Sequence, residues 1–291
     1  MAIDSILKTT DASPGGQALF ANIVQEAIFT AQERSVMLPL VSVYDISATG
    51  GKTIQVPVYP TVSAATLTEG TDITDDANVN PTAKTITASE YGVLAVVTDL
   101  MKQSAGRNVA ADIGRMLGEA IAKKQDESIL ALMTGFSQEV GGAGVELTPD
   151  LLLRAVTKLR LANAPGPIRG VFSPGAMYHL KKQLANAGYS TSSNAMSDIG
   201  NEVLRAGFAG TVMGVELFES AVITADASDD AYGLVFVPQA IGVAVKKGLT
   251  IEVQRDASLR ADEIVATATW GVGELVDAYG CAVISDTLTT N

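Results

Sequence analysis

TIQVPVY at residues 53–59 places Ile54, Val56 and Val58 on one face of an extended chain, and ITASEYGVLAVV at 86–97 is again rich in strand formers. Between them runs TVSAATLTEGTDITDDANVNPTAK at 61–84, abundant in Thr, Asp, Asn and Ala, with only scattered apolar side chains. In a compact domain a connection longer than about 15 residues is functional or poorly ordered. The pair of strands therefore reads as an extended hairpin that projects from the body of the protein.

Downstream of the hairpin lies the strongest helical signal in the chain. Asn108 can cap it, and Val109, Ile113, Leu117, Ala120 and Ile121 recur at intervals of three and four through a stretch reaching about Met133. About 25 residues at 1.5 Å each span roughly 38 Å, more than an ordinary globular helix and suited to a spine beneath other elements. Gly135 and the GGAG at 141–144 read as the turn that ends it. Upstream, residues 1–16 are polar and close on SPGG, which marks a flexible arm. ALFANIVQEAIFTAQER at 18–34 follows with Leu19, Ile23 and Ala27 at helical spacing.

The remainder alternates helix and strand. Thr148 and Pro149 start a helix lined by Leu152, Val156 and Leu159, which Asn163 to Pro167 stop before the strand-like IRGVF. Ser173 and Pro174 open a second helix through Met177, Leu180 and Leu184. A Ser/Asn-rich loop at 188–200 and a short helix, NEVLRAG at 201–207, come next. VMGVELFES, YGLVFVP, AIGVAVK, LTIEVQ and IVATATWGV then read as short, Val-rich strands, so sheet dominates the last third. No fixed-period repeat is visible.

Composition narrows the function. In 291 residues, 47% are hydrophobic and 18% charged, enough apolar material for a real core. Every apolar run is broken by Lys, Glu, Asp, Gln or Gly before it reaches the roughly 18 residues of a membrane span. The start, MAIDSILKTTDASPGG, lacks the basic and apolar regions of a secretory signal, so residence in the cytoplasm that makes the chain is expected. One cysteine, Cys281, and one histidine, His179, exclude an internal disulfide and a His/Cys zinc site. A net charge of -12 opposes phosphate backbones, and the pairs Lys123/Lys124 and Lys181/Lys182 read as solvated helix faces.

Candidate catalytic motifs fail on spacing or context. ATGGKT at 48–53 ends like a phosphate-binding loop but has Ile46 where a glycine is required, and a strand follows where a helix should. His179 sits in the helical YHLKK, no GxSxG elbow exists, and an ordinary surface histidine is expected. Asp226, Asp229 and Asp230 miss the calcium-loop pattern and read as a solvated turn. Asp75 and Asp76 lie in the projecting loop without burial to shift their pKa. No catalytic, cofactor or metal residue is assigned, and an enzyme is not expected.

The order arm, hairpin, spine helix, α/β unit and returning strands resembles the major capsid proteins of tailed bacteriophages, the Hong Kong 97-like fold. The stretches that carry the resemblance are TLTEGTDIT (66–74), SEYGVLAVVTDLM (89–101), IGRMLGEAIAKKQDESIL (113–130), SPGAMYHLKK (173–182) and the run from Tyr232 to Ile284. The resemblance implies an α+β chain. An amino-terminal arm and first helix occupy 1–35. A peripheral domain at 36–135 holds an extended E-loop (about 50–92) and a spine helix (about 106–134). An axial domain follows at 136–245, and 246–291 returns strands to the peripheral domain and supplies the last axial strand. It further implies a structural protein that assembles into an icosahedral head around phage DNA, or alternatively an encapsulin-like nanocompartment shell. The implied partner is the chain itself, in hexamers and pentamers, with a separate scaffolding protein and a portal. DNA would be held non-specifically and no membrane is involved. Residence in the virion follows, with Thr66, Leu67, Glu69, Asp72, Ile73 and Asn80 of the E-loop as subunit-interface residues.

Overall fold

The computed structural model describes residues 27, 30, 35–60, 62, 64, 66, 67, 69, 70, 72, 79–104, 109–187 and 210–287. The expected arm, nearly all of the first helix, the Asn108 cap, Ile73, Asp75, Asp76, the 188–200 loop and the 201–207 helix lie outside them. In chain order the described elements are β1 (Ser42–Asp45), β2 (Thr53–Val58), β3 (Thr82–Thr87), β4 (Ser89–Thr98) and α1 (Asp99–Ser104). Then come α2 (Val109–Leu130), β5 (Glu139–Glu146), α3 (Pro149–Leu161), β6 (Ile168–Phe172) and α4 (Pro174–Ala187). The last part is sheet: β7 (Thr211–Val212), β8 (Val215–Glu219), β9 (Asp230–Phe236), β10 (Ile241–Asp256), β11 (Ala261–Glu274) and β12 (Gly280–Asp286).

The strands form two main sheets and one separate ribbon. One sheet has the order β1-β10-β11-β4, the other β5-β12-β9-β6-β8-β7, and β2 pairs with β3 alone. Along β11 the period of two is strict: Ile264, Ala266, Ala268 and Trp270 turn inward and are buried, while Glu263, Val265, Thr267 and Thr269 alternate with them. The inward row meets α2, whose Ile113, Leu117 and Ile121 pack on it together with Val97 and Ile251. β9 is different. Leu234 and Phe236 fill one core and Val235 the other, so both faces of this strand are covered and YGLVFVP is continuously apolar.

The helix α2 binds the two sheets into one body. Its amino-terminal half lies on the first sheet, and Ile129 and Leu130 at its far end, with Met133 in the 3-10 turn Ala131–Gly135 that follows, pack with Val171, Leu234 and Phe236 of the second. Twenty-two residues span about 33 Å, the reach this bridging requires. On the opposite face of the second sheet α3 and α4 bury Leu152, Val156, Leu159, Met177 and Leu180. The Thr148 hydroxyl accepts the Leu151 N–H at 3.1 Å, as the start signal in the sequence predicts.

Several expectations are corrected. The GGAG expected as a turn lies inside β5, where Gly141 at φ +92° brings its backbone against β12 so closely that a Cβ would sit 2.1 Å from Ile284 O. Glycine here permits a strand pairing instead of a turn. AIGVAVK and LTIEVQ are one strand, β10, whose Lys246-Lys247-Gly248 segment is absorbed by register shifts against β11. ITASEYGVLAVV divides at Ala88 into β3 and β4, because the first half pairs with β2 and the second with β11. VMGVELFES contains a hairpin turn at Met213 and Gly214, both with positive φ.

Candidate assembly surfaces

The β2–β3 ribbon stands apart by its hydrogen bonding. From Thr53↔Thr87 to Val58↔Thr82 its strands pair only with each other. Its base is anchored: Val56 and Ile86 enter a cluster with Ile46, Ala88, Ala244 and Leu275, and the Ala88 N–H donates to Lys52 O at 2.7 Å. Lys84 Nζ lies 4.0 Å from Glu274, whose carboxyl is raised above its ordinary value by burial and by nearby Asp277, against the lowering effect of Lys84. Beyond that base the apolar side chains are uncovered. Tyr59 is 68% exposed, Leu67 64% and Val79 61%.

Of the residues expected at the loop, Thr66, Leu67, Glu69, Asp72 and Asn80 are all exposed, while Ile73 lies outside the described residues. A second exposed surface went unread in the sequence. On β4, Tyr91, Val93, Ala95 and Val97 face inward, leaving Leu94 and Val96 on the outer face at 57% and 47% exposure. Leu100 and Met101 of α1 and Leu259 in the β10–β11 turn are also exposed nearby, since the Asp99 N–H donates to Arg260 O at 3.0 Å. Arg255 holds this corner together, reaching Asp99 Oδ1 at 2.8 Å and Asp262 Oδ1 at 3.1 Å. The available signal was the run VLAVV at 93–97, apolar on both strand faces where a half-buried strand needs only one.

The polar candidates have structural partners. His179 is not a surface histidine: it is 4% exposed, with Nδ1 3.4 Å from Glu146 Oε1, and Gln183 donates to the other oxygen of that carboxylate at 3.2 Å. Asp230 is likewise not in a solvated turn. It is 4% exposed and accepts the Gly144 N–H at 2.8 Å, while Asp226 accepts the N–H groups of Ser228 and Asp230. Asp226 thus closes its own turn, while Asp230 ties that turn to β5. Burial pushes the Cys281 thiol up to about 11, far from a reactive thiolate. Among the described residues no three of His, Cys, Asp and Glu converge on a common point, and no helix is long and apolar enough to cross a membrane.

Comparison with known proteins adds the family. Residues 79–284 match the family model described as phage capsid protein, more than half of the chain. No curated protein matches. Among solved structures, a chain of Mycobacterium phage Che8 is 22% identical, with a TM-score of 0.68 over 86% of this chain and 90% of that one. The acid-stable capsid of Helicobacter pylori bacteriophage KHP30 is 11% identical, with a TM-score of 0.66 over 87% and 91%. The SrpI encapsulin of Synechococcus elongatus PCC 7942 is 13% identical, with a TM-score of 0.61 over 87% and 88%. These likenesses show a shared fold. With the family model spanning both sheets, the chain belongs to the phage capsid protein family and is a structural, shell-forming protein.

Proposed function

We propose that the chain is the major capsid subunit of an icosahedral phage head, and that the β2–β3 ribbon with its loop is the E-loop that wraps an adjacent subunit. The observation that carries this reading is the ribbon's isolation: it pairs with neither main sheet, and its apolar residues beyond Val58 are uncovered. About 25 cal/mol per Å² of apolar burial is the usual return for ordering a chain, against roughly 1–2 kcal/mol per residue of backbone entropy. A loop of this composition recovers that ordering cost on a neighbour's surface.

In this reading α2 is the spine of a peripheral domain at 36–135, joined by the return strands of 246–291, whose last strand, β12, belongs to the axial domain. The unit at 136–245, with α3 and α4, is the axial domain that meets its copies at capsomer centres. Thr66, Leu67, Glu69, Asp72, Ile73 and Asn80 contact the next subunit. A closed shell repeats each contact many times, so modest interfaces accumulate. The subunit assembles in the host cytoplasm as hexamers and pentamers with a separate scaffolding protein and a portal, has no catalytic role, and confines DNA without gripping it. The net charge of -12 favours a wall screened by counterions.

Deleting residues 66–80 tests this directly: the subunit should keep its melting temperature and lose the ability to form particles visible by negative stain. Particles of normal yield from the deletion variant would refute the wrapping role. The likeness to an encapsulin keeps an enzyme-storing compartment as the second reading, and the contents of purified particles, nucleic acid or protein cargo, decide between them.

A further inference from the structure

We infer that Lys246 is the positioning residue of the β2–β3 ribbon: its ammonium grips the carbonyls of the turn that leads from β1 into β2, and so fixes the angle at which the ribbon leaves the body. The inference rests on the wrapping role proposed above and names the side chain that presents the ribbon for it.

The ribbon joins the body through two unequal legs. On the carboxyl side a single buried residue, Ala88, separates β3 from β4, and its N–H donates to Lys52 O. Gly271 of β11 lies against this leg so closely that a Cβ there would meet Thr87 O at 2.3 Å. This leg is short and tightly packed. The other is longer, since residues 46–52 run from the end of β1 to the start of β2. Ser47 to Lys52 are all exposed, and the Cβ position of Gly50 has nothing within 4 Å. A turn with so little packing, containing Gly50 and Gly51, needs polar contacts to offset the entropy of holding one conformation.

Lys246 supplies them. Its Nζ donates to Ile46 O at 3.2 Å and to Thr49 O, with Ser47 O at 3.5 Å. An ammonium carries three donors on a flexible stem, one for each of these carbonyls, and a hydrogen bond from a charged donor is about twice as strong as a neutral one. Other bonds close the turn on itself: the Ser47 N–H donates to Asp45 Oδ1 at 2.8 Å and the Thr49 N–H to Ile46 O at 3.1 Å. The Ile46 N–H donates to Val245 O at 2.9 Å and so extends the pairing of β1 with β10 by one residue. Beyond Ile46, the ammonium of Lys246 carries the attachment to β10 onward to Ser47 and Thr49.

An irregularity in the sheet aims this side chain. Val245 pairs with Trp270 and Lys247 with Thr269, so Lys246 is an extra residue with no position opposite it on β11. A bulge of this kind takes its residue out of the sheet's alternation and redirects it. It falls where β1 ends, because Asp45 pairs with Val245. Lys246 is half-buried, whereas Lys247 is exposed. Two adjacent lysines of equal charge thus have different surroundings, one in solvent and one engaged by the turn.

The experiment follows the ribbon in the unassembled full-length subunit, spin-labelled at Ala83→Cys on β3 and Met116→Cys on α2, both exposed. Cys281 is buried and escapes the label. With Lys246 in place, pulsed electron paramagnetic resonance should give one narrow distribution of label-to-label distances. Lys246→Met should broaden or shift it at an unchanged melting temperature. In unlabelled protein the same substitution should raise severalfold the concentration at which particles appear. Lys246→Arg keeps a charged donor and should restore most of the narrow distribution. Lys247→Met removes the same charge at the next position and should match wild type in both measurements. A broad distribution with Lys246 present, an unchanged one for Lys246→Met, or an equal effect from Lys247→Met overturns the inference. A Lys246→Met subunit that melts lower or fails to fold assigns the residue to the fold as a whole and overturns it too. So does a broadened ribbon that still assembles at the wild-type concentration. The wrapping role is judged separately by the deletion of 66–80, so either reading can fail without the other.

Discussion

The carboxylate of Asp126, in the last turns of α2, accepts the backbone N–H of Val36 at 2.9 Å, across 90 positions of sequence. Its other oxygen accepts from the Ser35 hydroxyl at 2.9 Å and the Met37 N–H at 3.2 Å, so one side chain secures the segment where the chain enters the body. Asp126 is 2% exposed and Met37 fully buried. Removing the acceptor leaves buried donors without partners, at about 1–3 kcal/mol for each. Asp126→Ala should therefore lower subunit stability by roughly 2–4 kcal/mol, read by urea denaturation. A loss below about 0.5 kcal/mol would show that the segment is held by its apolar contacts alone.

The same residue has a pH signature. Burial raises the Asp126 carboxyl above its ordinary value of 3.8, against the lowering effect of the hydrogen bonds from Val36, Ser35 and Met37. A raised folded-state pKa means that the folded protein binds this proton more tightly than the unfolded chain. That contribution is full below 3.8 and fades as pH rises through the folded value. Asp126→Asn cannot titrate, so the stability of wild type relative to the variant should fall as pH rises through this acid range. A pH-independent difference between the two would contradict the assignment.

Gly118 in α2 lets the backbone of Ala27 approach closely. A Cβ placed there would lie 2.4 Å from Ala27 O, and backbone cannot yield as a flexible side-chain tip can. Gly118→Val should destabilise by about 1–3 kcal/mol despite its apolar character. Hydrogen exchange should show loss of protection at Gly118 and its neighbours in α2. Unchanged protection in that part of α2 would place the strain elsewhere.

The face of α2 can be tested by neighbouring positions. Ile113 is 7% exposed and Leu117 2%, whereas Met116 is 68% exposed. Ile113→Asp or Leu117→Asp buries an unpaired charge and should cost several kcal/mol, with most of the chain recovered as insoluble protein. Met116→Asp should stay within about 0.5 kcal/mol of wild type. Equal melting temperatures for all three variants would mean that the helix is rotated from the orientation described.

The exposed corner on β4 should matter only in the assembled state. Leu94→Lys replaces a side chain that is 57% exposed, so the isolated subunit should melt normally. Particle yield in sedimentation should fall if this corner contacts a neighbour, since the substitution is repeated in every copy of the shell. Normal yield would leave Leu94 and Val96 as ordinary surface residues.

Regular elements were legible in the residues because local rules govern them. The 3.6-residue spacing of Ile113, Leu117 and Ile121, the Thr148-Pro149 start and the alternation through Ile54, Val56 and Val58 each act over a few positions. The order of these elements was enough for the family resemblance. Other features depended on partners remote in sequence. Nothing in Gly141 to Gly144 distinguishes a turn from a strand until Ile284 arrives beside it. Lys246-Lys247-Gly248 looks like a break until β11 supplies a continuous ladder. His179 is polar and sits on a helix, yet it is buried because Glu146 at the end of β5 comes within 3.4 Å of its ring. The surfaces divide in the same way. The polar, acidic loop could be read directly, since its inability to bury itself is a property of composition. The groove between β4 and α2 joins residues 91–93 to 120–127, and its shape and charge exist only once the sheet has an edge and the helix lies across it.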